Sequence, residues 1–322
     1  MANPAKVETT AAHVADKPYL GLRNIGLTVI DLDRTIAFYS ASAPYAQIKR
    51  YSLPAAVFGD DLVTSTRGDV QIALIGVPTG FLQLMQFSAG PSAPEKPVPV
   101  QGPGYTHICF QSSSAEPALP RFMRDGLSLV SRCDERGVDL GGYGVRYAYG
   151  RDPEGRMIEV EHLDRPHRSE RAWVSHLANV AHDHPAMLDF YTRLTGMPPH
   201  RVTAPTSRAT FDAVAGMDDI VLQGAWYRLG NMELEVWGFG NPKTPMPGGR
   251  HRLDEIGYNA PAFEVADLPA ECARLADLGV PLVGPELDLG GWRTRYAVDP
   301  EGNLFCVQQR ASAPQGESVA TS

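Results

Sequence analysis

Asp152-Pro153-Glu154-Gly155-Arg156-Met157-Ile158-Glu159-Val160 is answered 147 residues later by Asp299-Pro300-Glu301-Gly302-Asn303-Leu304-Phe305-Cys306-Val307. In both places a tight-turn tetrapeptide feeds a short apolar run, the pattern of a turn leading into a strand. Other landmarks repeat in the same order. Ile25-Gly26-Leu27-Thr28-Val29, running into Ala37-Phe38-Tyr39, resembles His176-Leu177-Ala178-Asn179-Val180 running into Asp189-Phe190-Tyr191, with an offset of 152 at the Phe-Tyr pair. Gly104-Tyr105-Thr106-His107 answers to Gly257-Tyr258-Asn259-Ala260 at 153, and Asp139-Leu140-Gly141-Gly142 to Asp288-Leu289-Gly290-Gly291 at 149. Offsets this uniform, in one order, identify a tandem duplication.

Each half divides again. Every quarter opens with a short apolar strand, continues into a helix and closes with strands. In the first quarter the strand is 22–29, the helix 33–41 and the closing strand 81–87. The second starts at His107, has its helix near 115–125 and closes over 157–161. The third spans 174–237, with a helix over 185–195 that carries proline in its first turn. The fourth spans 258–308, with a helix over 268–278 and Gly279 as its C-terminal cap. The expected fold is α+β, with four βαβββ modules. Residues 1–16 and 311–322 read as flexible tails. The expected domains are 17–165 (modules 17–95 and 102–165) and 166–310 (modules 171–245 and 253–310), joined by a Pro/Arg-rich linker over 163–168.

Composition narrows the functional classes. The 322 residues suit two domains. With 29 basic against 37 acidic residues, a net charge of −8 and no Lys/Arg block, the chain lacks the footprint of a nucleic-acid or anionic-membrane binder. Apolar runs such as Ile72 to Val77 are far shorter than a membrane span. Residues 1–17 show no secretory signal, so the expectation is a cytoplasmic protein, monomer or homodimer, that acts on a small molecule. Cys109, Cys133, Cys272 and Cys306 lie far apart without a C-x-x-C, which argues against a zinc knuckle or a disulfide framework. Neither a phosphate-cradling loop nor a serine-hydrolase elbow is present. His182 and His184 flank Asp183 and read as a loop and helix cap.

Four βαβββ units, with His at the start of one strand and Glu in the Ile-Glu-Val after Asp-Pro-Glu-Gly, resemble the vicinal oxygen chelate superfamily, which includes glyoxalase I, methylmalonyl-CoA epimerase, fosfomycin resistance proteins and extradiol dioxygenases. The resemblance covers about residues 20–310. It implies four βαβββ modules paired into two cupped mixed β-sheets with flanking helices, around one divalent metal ion, with ligands from the first and last strand of each module. Carried over position by position, it gives Asn24 and Gln83 in the first module, His107 and Glu159 in the second, His176 and Glu233 in the third, and Ala260 and Cys306 in the fourth. Pairing within each half would leave two weak cups. Pairing module two with three, and one with four, gathers His107, Glu159, His176 and Glu233 in one cup, and this is the arrangement expected. Two imidazoles and two carboxylates offset a +2 charge. Glu235 and Glu161 lie two residues further along the same strand faces and take the ligand role if the register slips by two.

The resemblance implies metal-assisted chemistry on a substrate bound through vicinal oxygens. The fourth ligand favours a glyoxalase-like lyase or isomerase, in which Glu159 or Glu233 is the general base and the metal (Fe, Ni, Co, Mn or Zn) stabilises an enediolate. Tyr149 to Glu159 resembles the tail of the extradiol dioxygenase signature, although the histidine expected just before it is replaced by Leu140-Gly141-Gly142-Tyr143. An Fe(II)- and O2-dependent ring-cleaving dioxygenase is therefore the alternative, and a non-catalytic sequestering protein the third reading. Arg146, Tyr149, Tyr227 and Trp237 are the candidate substrate-binding residues.

Overall fold

The computed structural model describes residues 18–43, 48–91, 97–113, 117–142, 144–165 and 171–311. The expected tails over 1–16 and 312–322, linker residues 166–168 and the expected helix start at 115–116 lie outside the described residues.

The first module is β1 (Gly21–Thr28), α1 (Leu32–Ser42), β2 (Ile48–Pro54), β3 (Asp69–Val77) and β4 (Gly80–Phe87). The second is β5 (Gly104–Ser112), α2 (Ala118–Arg124), the two-residue strands β6 (Ser128–Leu129) and β7 (Val138–Asp139), β8 (Val145–Arg151) and β9 (Met157–Leu163). The third is β10 (Trp173–Val180), α3 (His184–Thr195), β11 (Arg201–Val202), α4 (Ala209–Ala215), β12 (Val221–Arg228) and β13 (Glu233–Asn241). The fourth is β14 (Gly257–Glu264), α5 (Leu268–Asp277), β15 (Leu282–Asp288), β16 (Trp292–Val298) and β17 (Leu304–Arg310). The βαβββ plan is met in each, with the two-residue β7, which pairs with β8 beside the main strand order, and α4 as additions that the sequence periodicity does not announce. Three of the helices start at an aspartate whose side chain accepts a backbone N–H one turn on: Asp31 from Arg34, Asp183 from Ala186 and Asp267 from Ala270. Asp183 thus has the capping place expected for the His182–His184 segment. Gly279, with φ 72°, follows the C-cap Leu278 of α5 in the left-handed region where glycine is favoured.

Two sheets result, and neither follows a sequence half. One has the order β15-β16-β17-β14-β1-β4-β3-β2 and joins modules one and four; the other, β11-β12-β13-β10-β5-β9-β8-β6, joins modules two and three. In every module the first and last strands pair in parallel, and the first strands of partner modules pair antiparallel as β1·β14 and β5·β10. One apolar core draws on all four modules, including Phe38, Phe110, Phe190 and Phe305. No described helix is long and apolar enough to cross a membrane. The cysteines are unpaired, with Cys109 and Cys306 buried.

The repeated motifs meet each other. Tyr39 of the first Phe-Tyr pair donates to Asp152 (3.2 Å), and Tyr191 of the second donates to Asp299 (3.2 Å). The neighbouring glutamates reach the helix starts: Glu154 accepts from the backbone of Ile30 (2.9 Å) and Asp31 (3.0 Å), Glu301 from that of His182 (3.0 Å) and Asp183 (2.7 Å). Each Asp-Pro-Glu-Gly turn is therefore a clasp between the two modules of one half, which lie in different sheets. The four modules form a ring in which clasps and sheet joints alternate.

A β-bulge marks each inner strand. The β1·β14 register slips by one residue at Arg23 and again between Asn259 and Ala262, where Ala260 has φ 34°. The β10·β5 register slips at Ser175 and at Thr106. A bulge puts two consecutive residues on one face and re-aims a side chain. All four strands do so at the positions where the superfamily places its first ligands.

Candidate metal centre

Of the two concave faces, the one shared by modules two and three is polar and open. His107 on β5, Glu159 on β9, His176 on β10 and Glu235 on β13 bring ligand-capable atoms within 4.8 Å of one another, and all four side chains are buried. His176 Nε2 is 2.8 Å from Glu159 Oε2, and His107 Nε2 is 3.4 Å from the same oxygen. His176 Nδ1 is 3.4 Å from Glu235 Oε1.

The bulges orient both imidazoles. Thr106 and Ser175, the extra residues, set hydroxyls 3.0 Å from His107 Nδ1 and 3.2 Å from His176 Nδ1. His107 Nε2 is left buried without a hydrogen-bond partner and close to Glu159. A buried orphan nitrogen beside two carboxylates is a donor arranged for a cation.

Glu233 stands outside this cluster. In the three other modules, the second ligand position pairs with the residue two beyond the first: Gln83 with Gly26, Glu159 with Cys109 and Cys306 with Ala262. In the third module that residue is Ala178, and its partner is Glu235; Glu233 pairs with His176 itself. Glu233 faces the same cleft from the rim, about 6–7 Å along the strand. There it lies 3.0 Å from His200 and 3.3 Å from Arg228. The structure brings together three of the four sequence-predicted ligands and supplies Glu235 as the fourth.

Charge and burial act against each other here. Burial alone would raise the Glu159 carboxyl, but the hydrogen bond from His176 and the charge of both imidazoles hold it down at about 2. Burial would lower His176, and Glu235 and Glu159 reverse this and raise it to about 10. Burial, with the charge of Glu159 behind it, pushes Glu161 up to about 8, and burial likewise raises the Cys109 thiol. A second grouping of Cys109, Glu159, Glu161 and His176 also lies within ligand distance. Because ligands bind metal deprotonated, the His107, Glu159, His176 and Glu235 set is the stronger donor set.

Around the cluster opens a cleft of about 1450 Å³ whose walls combine aromatic, aliphatic and polar side chains. Strand alternation decides which residues line it. On β8, Tyr147 and Tyr149 face the cleft, and Tyr149 packs 5.0 Å from the His107 ring. Arg146, of the opposite parity, is absent from the walls and lies 3.7 Å from Asp164. On β12, Trp226 faces the cleft. Tyr227 points the opposite way, buried beneath α3 with its hydroxyl donating to the Leu188 carbonyl. Of the four residues expected to bind substrate, Tyr149 and Trp237 line the cleft, and Arg146 and Tyr227 do not. Trp226 is the contact that the sequence does not single out. Trp226 Nε1 donates to Glu235 Oε1 (2.5 Å) and Trp237 Nε1 to Glu235 Oε2 (2.7 Å), so the carboxylate is held at both oxygens.

Sequence models described as Glyoxalase/Bleomycin resistance protein/Dioxygenase superfamily match residues 23–149 and 173–307. No curated protein matches. Among solved structures, glyoxalase I from Zea mays is similar with a TM-score of 0.61 at 16% identity, covering 90% of this chain and 92% of that one. A putative dioxygenase from Bacillus subtilis subsp. subtilis str. 168 is similar with a TM-score of 0.60 at 12% identity, covering 92% and 87%. At these identities the likeness is one of fold.

Proposed function

The chain belongs to the glyoxalase, bleomycin resistance and dioxygenase superfamily, the vicinal oxygen chelate proteins, and from that premise we propose a divalent-metal-dependent enzyme that moves a proton on a small substrate held through vicinal oxygens. The observation that carries this reading is the second carboxylate: Glu235 stands beside a buried set of two imidazoles and Glu159. His107, Glu159 and His176 would hold the metal, with Glu235 completing the shell. The metal, when bound, supplies a Lewis acid that stabilises negative charge developing on substrate oxygens.

This chain's own residues do the rest. Glu159, between both imidazoles, is the fixed member. Glu235 lies on the cleft wall, positioned by the indoles of Trp226 and Trp237. It accepts a proton alpha to a substrate carbonyl and returns it, working by proximity. Tyr149 and Trp237 flank a planar substrate and help exclude water.

Extradiol-type ring cleavage is the second reading, and one observation favours it. Both oxygens of Glu235 are already taken by indole N–H groups, so His107, Glu159 and His176 constitute a two-histidine, one-carboxylate set of the kind used by Fe(II) oxygenases. Metal analysis of the purified protein is expected to give close to one divalent ion per chain. Two ions, or none after reconstitution, would overturn both readings. Deuterium incorporation from solvent into an α-hydroxycarbonyl probe without oxygen uptake supports proton transfer; oxygen uptake with catechols under ferrous iron selects ring cleavage.

A further inference from the structure

The second concave face, shared by modules one and four, holds Asn24, Gln83, Ala260 and Cys306 at the ligand positions. Apolar side chains fill much of it, among them Phe58, Met85, Leu289 and Tyr296. Arg23 lies beside them. It is the extra residue of the β1 bulge, so it occupies the place that Ser175 takes beside His176 in the metal cup. Its NH1 donates to Asn24 Oδ1 (2.7 Å) and Gln308 Oε1 (3.1 Å), and its guanidinium lies over the rings of Trp292 (4.1 Å) and Phe81 (5.3 Å).

Arg23 is only 8% exposed, and among the described residues no carboxylate stands within ion-pair distance of it. Glu264 acts on it only from beyond that distance, and a cation buried with so little compensation is unfavourable. Its neighbours accept from NH1 through neutral amide oxygens and bring further donors of their own. By turning their oxygens to NH1, Asn24 and Gln308 leave their NH2 groups buried without partners; Arg23 Nε and the Tyr51 hydroxyl are buried without partners too. Gln83 Oε1 is the remaining unpartnered atom of this cup, on a carboxamide whose oxygen and nitrogen are interchangeable by a flip. A fixed positive charge among amide donors selects a small anion as strictly as imidazoles and carboxylates select a metal ion.

We propose that this cup binds a compact monoanion, a halide or a formate-sized carboxylate, between Arg23, Asn24 and Gln308. The duplication would then have kept a cation site in one cup and turned the other into an anion site. The direct test is a crystal of the full chain soaked in sodium bromide. An anomalous bromine peak within hydrogen-bond distance of Arg23 Nε is expected, or formate density there in a parallel sodium formate soak, and a water or an empty contact in both soaks overturns the proposal. In parallel, melting temperature is followed during titration of the intact protein with sodium bromide or sodium formate, against sodium sulfate at matched ionic strength. A saturable rise of a few degrees is expected, absent in Arg23→Gln and retained in His107→Ala. Bromide alone assigns a halide site and formate alone a carboxylate site. A response equal to that of sulfate, or unchanged in Arg23→Gln, refutes the site. The crystal measurement uses the native chain and stands even if the variant fails to fold.

Discussion

Glu233 and Glu235 are two residues apart on one face of one strand, and the chemistry depends on which of them reaches the imidazoles. Met232-Glu233-Leu234 and Leu234-Glu235-Val236 are both apolar-acid-apolar triplets, so local pattern does not separate them. The repeat does: the offset of 152 that carries Asn24 onto His176 carries Gln83 onto Glu235. Glu235→Gln is expected to weaken metal affinity at least 10- to 100-fold, while Glu233→Gln leaves one metal per chain, as elemental analysis and chelator competition will register. If Glu233→Gln strips the metal and Glu235→Gln does not, the register argument fails. Trp226→Phe should weaken metal binding or turnover about 10-fold without unfolding the protein, because it frees one oxygen of Glu235. His107, Glu159 and His176 are legible from the motifs. Arg146 and Tyr149, three residues apart on one strand, point to opposite faces by simple alternation, so both cannot line one cleft. The contact of Trp226 with Glu235 is not legible, since it depends on how β12 registers against β13.

At the scale of elements, the two clasps differ in one residue. Asp152 is paired with the buried Arg156 guanidinium at 2.7 Å, whereas Asp299 has the neutral Asn303 carboxamide at 2.8 Å. Without a cation, burial raises Asp299 from 3.8 to about 6. Since the folded value is the higher one, this contribution to stability is present below about pH 4 and lost as pH rises through 6. The stability of the native chain minus that of Asp299→Asn should therefore fall by about 2–3 kcal/mol between pH 4 and 6, measured by denaturant unfolding. A flat difference would mean that Asp299 ionises normally. Glu154→Ala leaves the backbone N–H groups of Ile30 and Asp31 without their acceptor and should cost about 2–3 kcal/mol, visible as a lower melting temperature with metal content unchanged. The Phe-Tyr and Asp-Pro-Glu-Gly motifs are conspicuous in the sequence, and their partnership is not, because 113 and 108 residues separate the bonded pairs. The bulges are equally hidden: a strand with one extra residue reads as imperfect alternation. The α4 insertion escapes notice because seven residues are too few to display a helical period.

For the whole molecule, the ring of modules means that each cup needs both halves of the chain, although each half contains a clasp of its own. Residues 1–165 and 166–322, expressed separately, are expected to bind no metal at a one-to-one ratio, and mixing or coexpressing them should restore it. Stoichiometric metal on one isolated half would contradict the cross-half site. The antiparallel joints β1·β14 and β5·β10 are related by the same offset that relates the halves, so the fold has the symmetry of a two-fold dimer whose subunits have been fused. In such a dimer a substitution in one cup is necessarily made in both, and a lost ligand disables every site at once. Fusion removes that constraint: Asn24 and His176 can be inherited independently although they occupy the same place in the repeat. The covalent link is what lets one polypeptide carry two ancestral sites with different fates.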